Sequence, residues 1–222
     1  MTERIAILDF ETTGMSPAHG ARAAEVGIVL IEGGRIVDRY QQLMNAGQRM
    51  PWQITQLTGI TSAMLQAAPP AEVVMREAAA FVGSAPLVAH NAAFDRKFWA
   101  DELARAGCPN TAPFACTVLL SRRLYPQAPS HSLGRIVRHL QLPPAAKAHR
   151  ALADAEMTAH LLLRMQADLR TRWGIDHPSH AVLQQLQVCP ARKLPPLLQR
   201  LAQEVATTAP RAAHPQPQLV GL

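Results

Sequence analysis

The run from Arg4 to Phe10, Arg-Ile-Ala-Ile-Leu-Asp-Phe, constrains this chain most. It is short, apolar and close to the N-terminus, and it reads as a buried strand. It leads into Leu8-Asp9-Phe10-Glu11-Thr12-Thr13-Gly14, so two acids stand at its C-terminal end before Gly14 turns the chain. Residues two apart on a strand share a face. Asp9 and Glu11 therefore point together, and Phe10 points the other way into a core. Strand-end acids can simply be solvated. An acid directly after Ile5-Ala6-Ile7-Leu8, however, needs a partner or a metal.

Two further motifs carry acids. His90-Asn91-Ala92-Ala93-Phe94-Asp95 follows a second strand-like run, Pro86 to His90. Asn91 is placed to cap a helix from Ala92 to Ala106, with Phe94, Phe98 and Leu103 as its apolar positions. Asp95 falls in the first turn of that helix, where the helix dipole alone also favours an acid. The third motif, His149-Arg150-Ala151-Leu152-Ala153-Asp154, opens the longest helical pattern, Arg150 to Arg172. Leu152, Ala155, Ala159, Leu162, Leu163 and Met165 form its core-facing stripe. His149 and Asp154 are five apart and would not share a helix face. They converge only if His149 lies in the preceding loop and reaches back. An exposed loop histidine is the plain alternative, since the chain has nine histidines.

Four carboxylates suit a pair of hard divalent cations, because Mg²⁺ and Mn²⁺ prefer oxygen donors. A histidine with an ordinary pKa of about 6.5 can take a proton from water near neutral pH. Together these parts suit phosphodiester hydrolysis by a water activated between two metals.

Asp-x-Glu, then His-Asn-x-x-Phe-Asp, then His-x-x-x-x-Asp, in this order over Arg4 to Arg172, resembles the DEDDh branch of the DnaQ-like 3′→5′ exonucleases. The histidine five before the last aspartate selects that branch. The resemblance implies an α/β chain with a ribonuclease-H-like fold, a mixed five-stranded sheet flanked by helices. The chain parses that way. Strands are expected at Arg4–Phe10, Glu25–Glu32, Arg35–Met44, Pro86–His90 and Phe114–Cys116. Gly33-Gly34 marks a hairpin. Helices are expected at Pro70–Val82, Ala92–Ala106, Thr117–Leu124, Ser132–Leu140 and Arg150–Arg172. The exonuclease domain would occupy residues 1–172, a helical extension 173–206, and a disordered tail 207–222.

Carried onto these residues, the resemblance implies that Asp9 bridges both metals. Glu11 and Asp154 complete the site that activates the water, Asp95 holds the second ion, and His149 acts as general base. Thr12, Thr13, Gln53, Leu57, His90, Asn91 and Phe94 are the implied substrate contacts. Within Met50 to Thr61, Leu57 would wedge between bases and Gln53 would reach the 3′ hydroxyl, although Leu57 and Ile60 equally suit a helix core. His131 looks like a helix-entry residue without a catalytic part.

Composition agrees with a nucleic-acid enzyme. The net charge is +6 even with four acids committed to the site, which suits a phosphate backbone. Arg122, Arg123, Arg135 and Arg138 are candidate backbone contacts, or else a solvated helix face. Cys108, Cys116 and Cys189 form neither a zinc spacing nor an even disulfide set. No leader pattern or membrane-length apolar stretch is found, so a cytoplasmic location is expected and no membrane partner. The expected partner is a single-stranded 3′ end of DNA, with RNA ends as the alternative. A DNA polymerase or sliding clamp is a further candidate, the clamp from the ending Gln216 to Leu222. A role in replication or repair would follow. A catalytically dead binding module is the remaining class, and its signature would be loss of a metal ligand. All five residues are present.

Overall fold

A computed structural model describes residues 3–110, 112–145 and 149–208. The tail beyond residue 208, with the clamp-like ending, lies outside the described residues. The first strand, β1 (Ile5–Thr12), pairs antiparallel with β2 (Ala23–Glu32), which pairs antiparallel with β3 (Arg35–Leu43). Gly33 and Gly34 join β2 to β3 with φ of 59° and 77°, as a type I′ turn requires. On the other side β1 pairs parallel with β4 (Leu87–Ala89), and β4 pairs parallel with β5 (Phe114–Cys116). The mixed sheet has the order β3-β2-β1-β4-β5.

Strand alternation divides the core into two layers. Ala6, Leu8 and Phe10 of β1, with Val26 and Ile28 of β2, face one side. There they meet α3 (Ala71–Val82) and α4 (Ala92–Arg105). Phe10 packs on Phe98 and Trp99, each at 6.5 Å between ring centres. Ile5 and Ile7 of β1, with Val29 and Ile31 of β2, face the other side, against Ala155, Ala159, Leu162, Met165 and Leu169 of α7 (Ala151–Trp173). Continued toward the C-terminal end of β1, that second face reads Asp9 and Glu11, with Gly27 and Glu25 opposite them on β2. The apolar face thus passes into a polar one at the point where α7 begins.

The expected elements end within three residues of those found. The segment from Met50 to Thr61, read as a single contact stretch, instead supplies α1 (Trp52–Thr58), and α2 (Ser62–Ala67) follows it. Ile60 is buried with Met50 and Leu65 in a small separate cluster. Between β5 and α7 lie α5 (Thr117–Leu124) and α6 (Leu133–His139).

After α7 come α8 (His180–Val188) and α9 (Leu194–Thr208), which join the α7-side core through Leu183, Leu186, Leu198 and Leu201. The β5 strand is an edge of the sheet, and α8 covers it with side chains. Gln187 accepts from the Cys116 N–H at 2.6 Å and donates to the Phe114 carbonyl at 3.4 Å.

Candidate active site

The site lies at the C-terminal end of β1. Asp9, Glu11 and Asp154 each bring a carboxylate oxygen within 4.8 Å of the other two. Strand alternation brings the first pair together, and the first turn of α7 brings the third. That approach is close. A Cβ on Gly27, which pairs with Asp9 across the sheet, would stand 2.2 Å from Ala151 C and Leu152 N. Only a residue without a side chain lets the helix start there.

Asp95 enters from the first turn of α4. It is 2% exposed, and its Oδ1 accepts from the Phe10 N–H at 3.2 Å. It sits outside the three-carboxylate cluster, yet after burial it is the strongest influence raising Asp9. Asn91 stands where a cap was expected but makes no capping bond. Its φ is 68°, a left-handed conformation that asparagine tolerates, and its side chain is left exposed.

All four acids are held above their ordinary pKa, chiefly by burial. Asp9 is raised well above the usual range by burial and by Asp95, Asp154, Glu11 and Glu25. Glu11 is raised to about 7 by burial, Asp154 and Glu25, against the pull of Arg150. Asp95 is raised to about 8 by burial, even though the Phe10 N–H opposes this. Asp154 is raised by burial and drawn down by His149. Its Oδ1 is buried and has no hydrogen-bond partner among the described residues. Crowded, desolvated like charges and an orphaned acceptor are what a bound cation relieves. An all-carboxylate donor set fits hard divalent ions.

His149 lies in the loop before α7, exposed, at φ 61°. From outside the helix, its charge and its backbone both act on Asp154.

The expected substrate contacts divide. The His90 ring is committed to the protein, with Nδ1 2.8 Å from Thr117 Oγ1 and Nε2 3.0 Å from the His131 carbonyl. Burial lowers its pKa to about 4. Thr12 Oγ1 donates to the Gly14 carbonyl, and Thr13 Oγ1 donates to Gln48 and accepts from the Arg22 N–H. These hydroxyls shape the loop after β1. Phe94 is half-buried and packs on Phe98 with tilted rings, 5.0 Å between centres. Gln53 is exposed, and Leu57 is 56% exposed rather than part of a core. Trp52 and Met15 are also exposed, at 64% and 78%.

Reading the motifs alone misses two residues. Gly27 sets the approach of α7. Glu25, opposite Glu11, is fully buried and accepts from Arg150, from the Ala151 N–H and from Gln41. The argument that singles out Asp9, an acid joined to an apolar run, would also have found Glu25.

Residues 6–162 match RNase_T, a family described as exonuclease. The chain is 36% identical over 167 residues to the PolC-type DNA polymerase III of Halalkalibacterium halodurans, covering 75% of this chain and 12% of that protein. It is 36% identical over 170 residues to the 3′-5′ exonuclease DinG of Bacillus subtilis, covering 76% and 18%. It therefore spans less than a fifth of either relative. Among solved structures, exonuclease X in complex with 5′ overhanging duplex DNA superposes with a TM-score of 0.65 at 27% identity, covering 82% of this chain and 99% of that one.

Proposed function

Since the chain belongs to the RNase_T exonuclease family, we propose that it is a metal-dependent 3′→5′ exonuclease of DEDDh type that hydrolyses the terminal phosphodiester of DNA and releases 5′-nucleoside monophosphates. The observation that carries this reading is the buried Asp154 Oδ1, unpartnered among the described residues, inside a cluster of three converging carboxylates. DNA is favoured by relatives named as a DNA polymerase and as an exonuclease bound to DNA.

Two divalent ions, Mg²⁺ or Mn²⁺, would be held by Asp9, Glu11, Asp95 and Asp154, and when bound they supply positive charge to the phosphate and acidify the attacking water. Asp9 lies among the other acids and would be shared. Glu11 and Asp154 would hold one ion, and Asp95, fixed on the Phe10 N–H, would serve the second. His149, outside the cluster, takes the proton from the attacking water. Exposed Leu57 meets the terminal bases, with Gln53, Asn91 and Phe94 at the cleft. Backbone amides and loop shape, more than the engaged hydroxyls of Thr12 and Thr13, would receive the nucleotide there. His90 holds the start of α4 in place. Among the described residues no helix is long and apolar enough to cross a membrane. A polymerase or clamp partner would add the grip that a single small domain lacks.

The test is digestion of matched 5′-labelled single-stranded DNA and RNA with Mg²⁺, with Mn²⁺ and with EDTA. The expected result is a metal-dependent ladder shortening from the 3′ end of DNA, abolished in Asp9→Ala and Asp154→Ala. Faster RNA cleavage would move the substrate to RNA ends. No cleavage of either polymer by folded, metal-supplied protein would overturn the reading.

A further inference from the structure

Glu25 and Arg150 have no part in the proposed hydrolysis, yet they form one of the most complete polar contacts in the molecule. Glu25 is 0% exposed. Arg150 Nε donates to its Oε2 at 3.0 Å and Nη2 donates to Oε1, so the guanidinium fork is fully used. The Ala151 N–H donates to Oε2 at 3.1 Å, and Gln41 Nε2 donates to Oε1 at 2.8 Å. Burial pushes Glu25 up, but Arg150, the Ala151 N–H and Gln41 together hold it below the usual carboxylate value.

Three of these bonds grip two consecutive residues, Arg150 and Ala151, and both follow His149. Arg150 occupies the cap position of α7 with an extended backbone and no capping bond of its own, so Glu25 supplies the acceptor for the helix from a neighbouring strand. His149 is in the left-handed region, where a non-glycine residue stays only if its surroundings hold it. The chain uses the same device once more. Glu102 takes the fork of Arg22 at 2.8 Å on each arm and the following Ala23 N–H at 2.9 Å, and so fixes the start of β2. An acid that chelates one residue's guanidinium and the next residue's amide sets backbone direction as well as balancing charge.

We propose that the Glu25–Arg150 clamp is a positioning element for the general base. It fixes the chain on the C-terminal side of His149, so that the imidazole meets the attacking water when the metals are in place. This rests on the exonuclease reading above. A different role is open to Arg150, since its charge also lowers Glu11. The two roles give different results: a charge role changes the metal requirement, and a placement role acts only while His149 is present.

The experiment is a cycle of Arg150→Gln, His149→Ala and their combination in the full chain, read as kcat, KM and the Mg²⁺ midpoint on a 5′-labelled DNA oligomer. Arg150→Gln should lower kcat by about 30-fold with KM and the Mg²⁺ midpoint moved less than about twofold. Added to His149→Ala, it should cost less than about threefold more. Arg150→Lys keeps the charge but loses the fork, and should remain impaired. It is also the readable variant if Arg150→Gln fails to fold. Independent losses that multiply in full, a shifted Mg²⁺ midpoint, or full activity in Arg150→Lys would each overturn the clamp. The His149 ring resonances, identified by their loss in His149→Ala, give a readout without catalysis. They should be dispersed in the wild type and collapse toward free-histidine positions in Arg150→Lys, and resonances unchanged there would also overturn it. If the wild type cleaves nothing, the exonuclease reading fails while this spectrum still judges the clamp.

Discussion

Replacing Gly27 with alanine tests how the site is assembled. The new Cβ would lie 2.2 Å from Ala151 C and Leu152 N, and 2.5 Å from Ala151 O. Carbon contacts settle at ~3.5–4.0 Å, so the first turn of α7 must retreat by about 1 Å or more. The obstructing atoms are backbone, and no flexible side-chain end can yield instead. The retreat carries Asp154 and the His149 loop away from Asp9 and Glu11, which stay on β1. A displacement of ~1 Å in a reacting group lowers a rate by about 100-fold. Overpacking of this kind costs about 1–3 kcal/mol, partly offset by the lower freedom of the unfolded alanine chain. The assay is kcat on a labelled oligomer at saturating Mg²⁺, with circular dichroism and a thermal melt on the same sample. Gly134→Ala is the control, because its Cβ would meet nothing within 4 Å. A Gly27→Ala protein with native spectra and kcat within about threefold of wild type would refute the claim that this contact sets the catalytic spacing.

His149→Ala should lower kcat by about 10²–10⁴-fold, the usual range for a general base, with an unchanged Mg²⁺ midpoint; a large loss of metal affinity would make it a ligand instead. Stability without metal should depend on pH with a definite sign. Glu11 is raised from 4.5 to about 7 and Asp95 from 3.8 to about 8, both first by burial, so the folded state keeps protons that the unfolded chain has released. That contribution is full below pH 3.8 and falls as pH rises through about 8. Melts in EDTA should therefore show Tm dropping from pH 5 to pH 8 and recovering with Mg²⁺, and a level EDTA profile would count against the crowded site. Leu57→Ala removes a 56% exposed side chain, so the unfolding free energy should hold within the ~0.5 kcal/mol typical of surface changes while KM for DNA ends rises severalfold. An unmoved KM would remove Leu57 from the substrate cleft.

The three acidic motifs were legible because each joins a periodic apolar pattern to a charge that the pattern does not explain. The β1 run predicts Asp9 and Glu11 on one face, and the structure brings their oxygens together. What could not be read was register. Glu25 reads as the polar start of a strand, and Gly27 as a small residue in an apolar run. An acid beside an apolar run marks Glu25 as a group in need of a partner, but its place opposite Glu11, and that of Gly27 opposite Asp9, appear only once β1 and β2 are paired. The α1 and α2 helices, at seven and six residues, are too short to show a helical period, and only Leu57 and Ile60 suggest one there. Asn91 has the residue type of a cap, whereas its backbone is left-handed and its side chain makes no capping bond among the described residues.

The glutamine cover on β5 has a practical consequence for anyone shortening this chain. The family match stops at residue 162 and the acidic motifs at Asp154, which invites a cut after α7. Such a cut removes Gln187 and Gln184, which otherwise occupy the Cys116 N–H and the Phe114 carbonyl. A three-residue apolar edge would then be open to another copy, strand adding to strand. The shortened protein would hold every group proposed for catalysis and still be lost to precipitation at working concentrations.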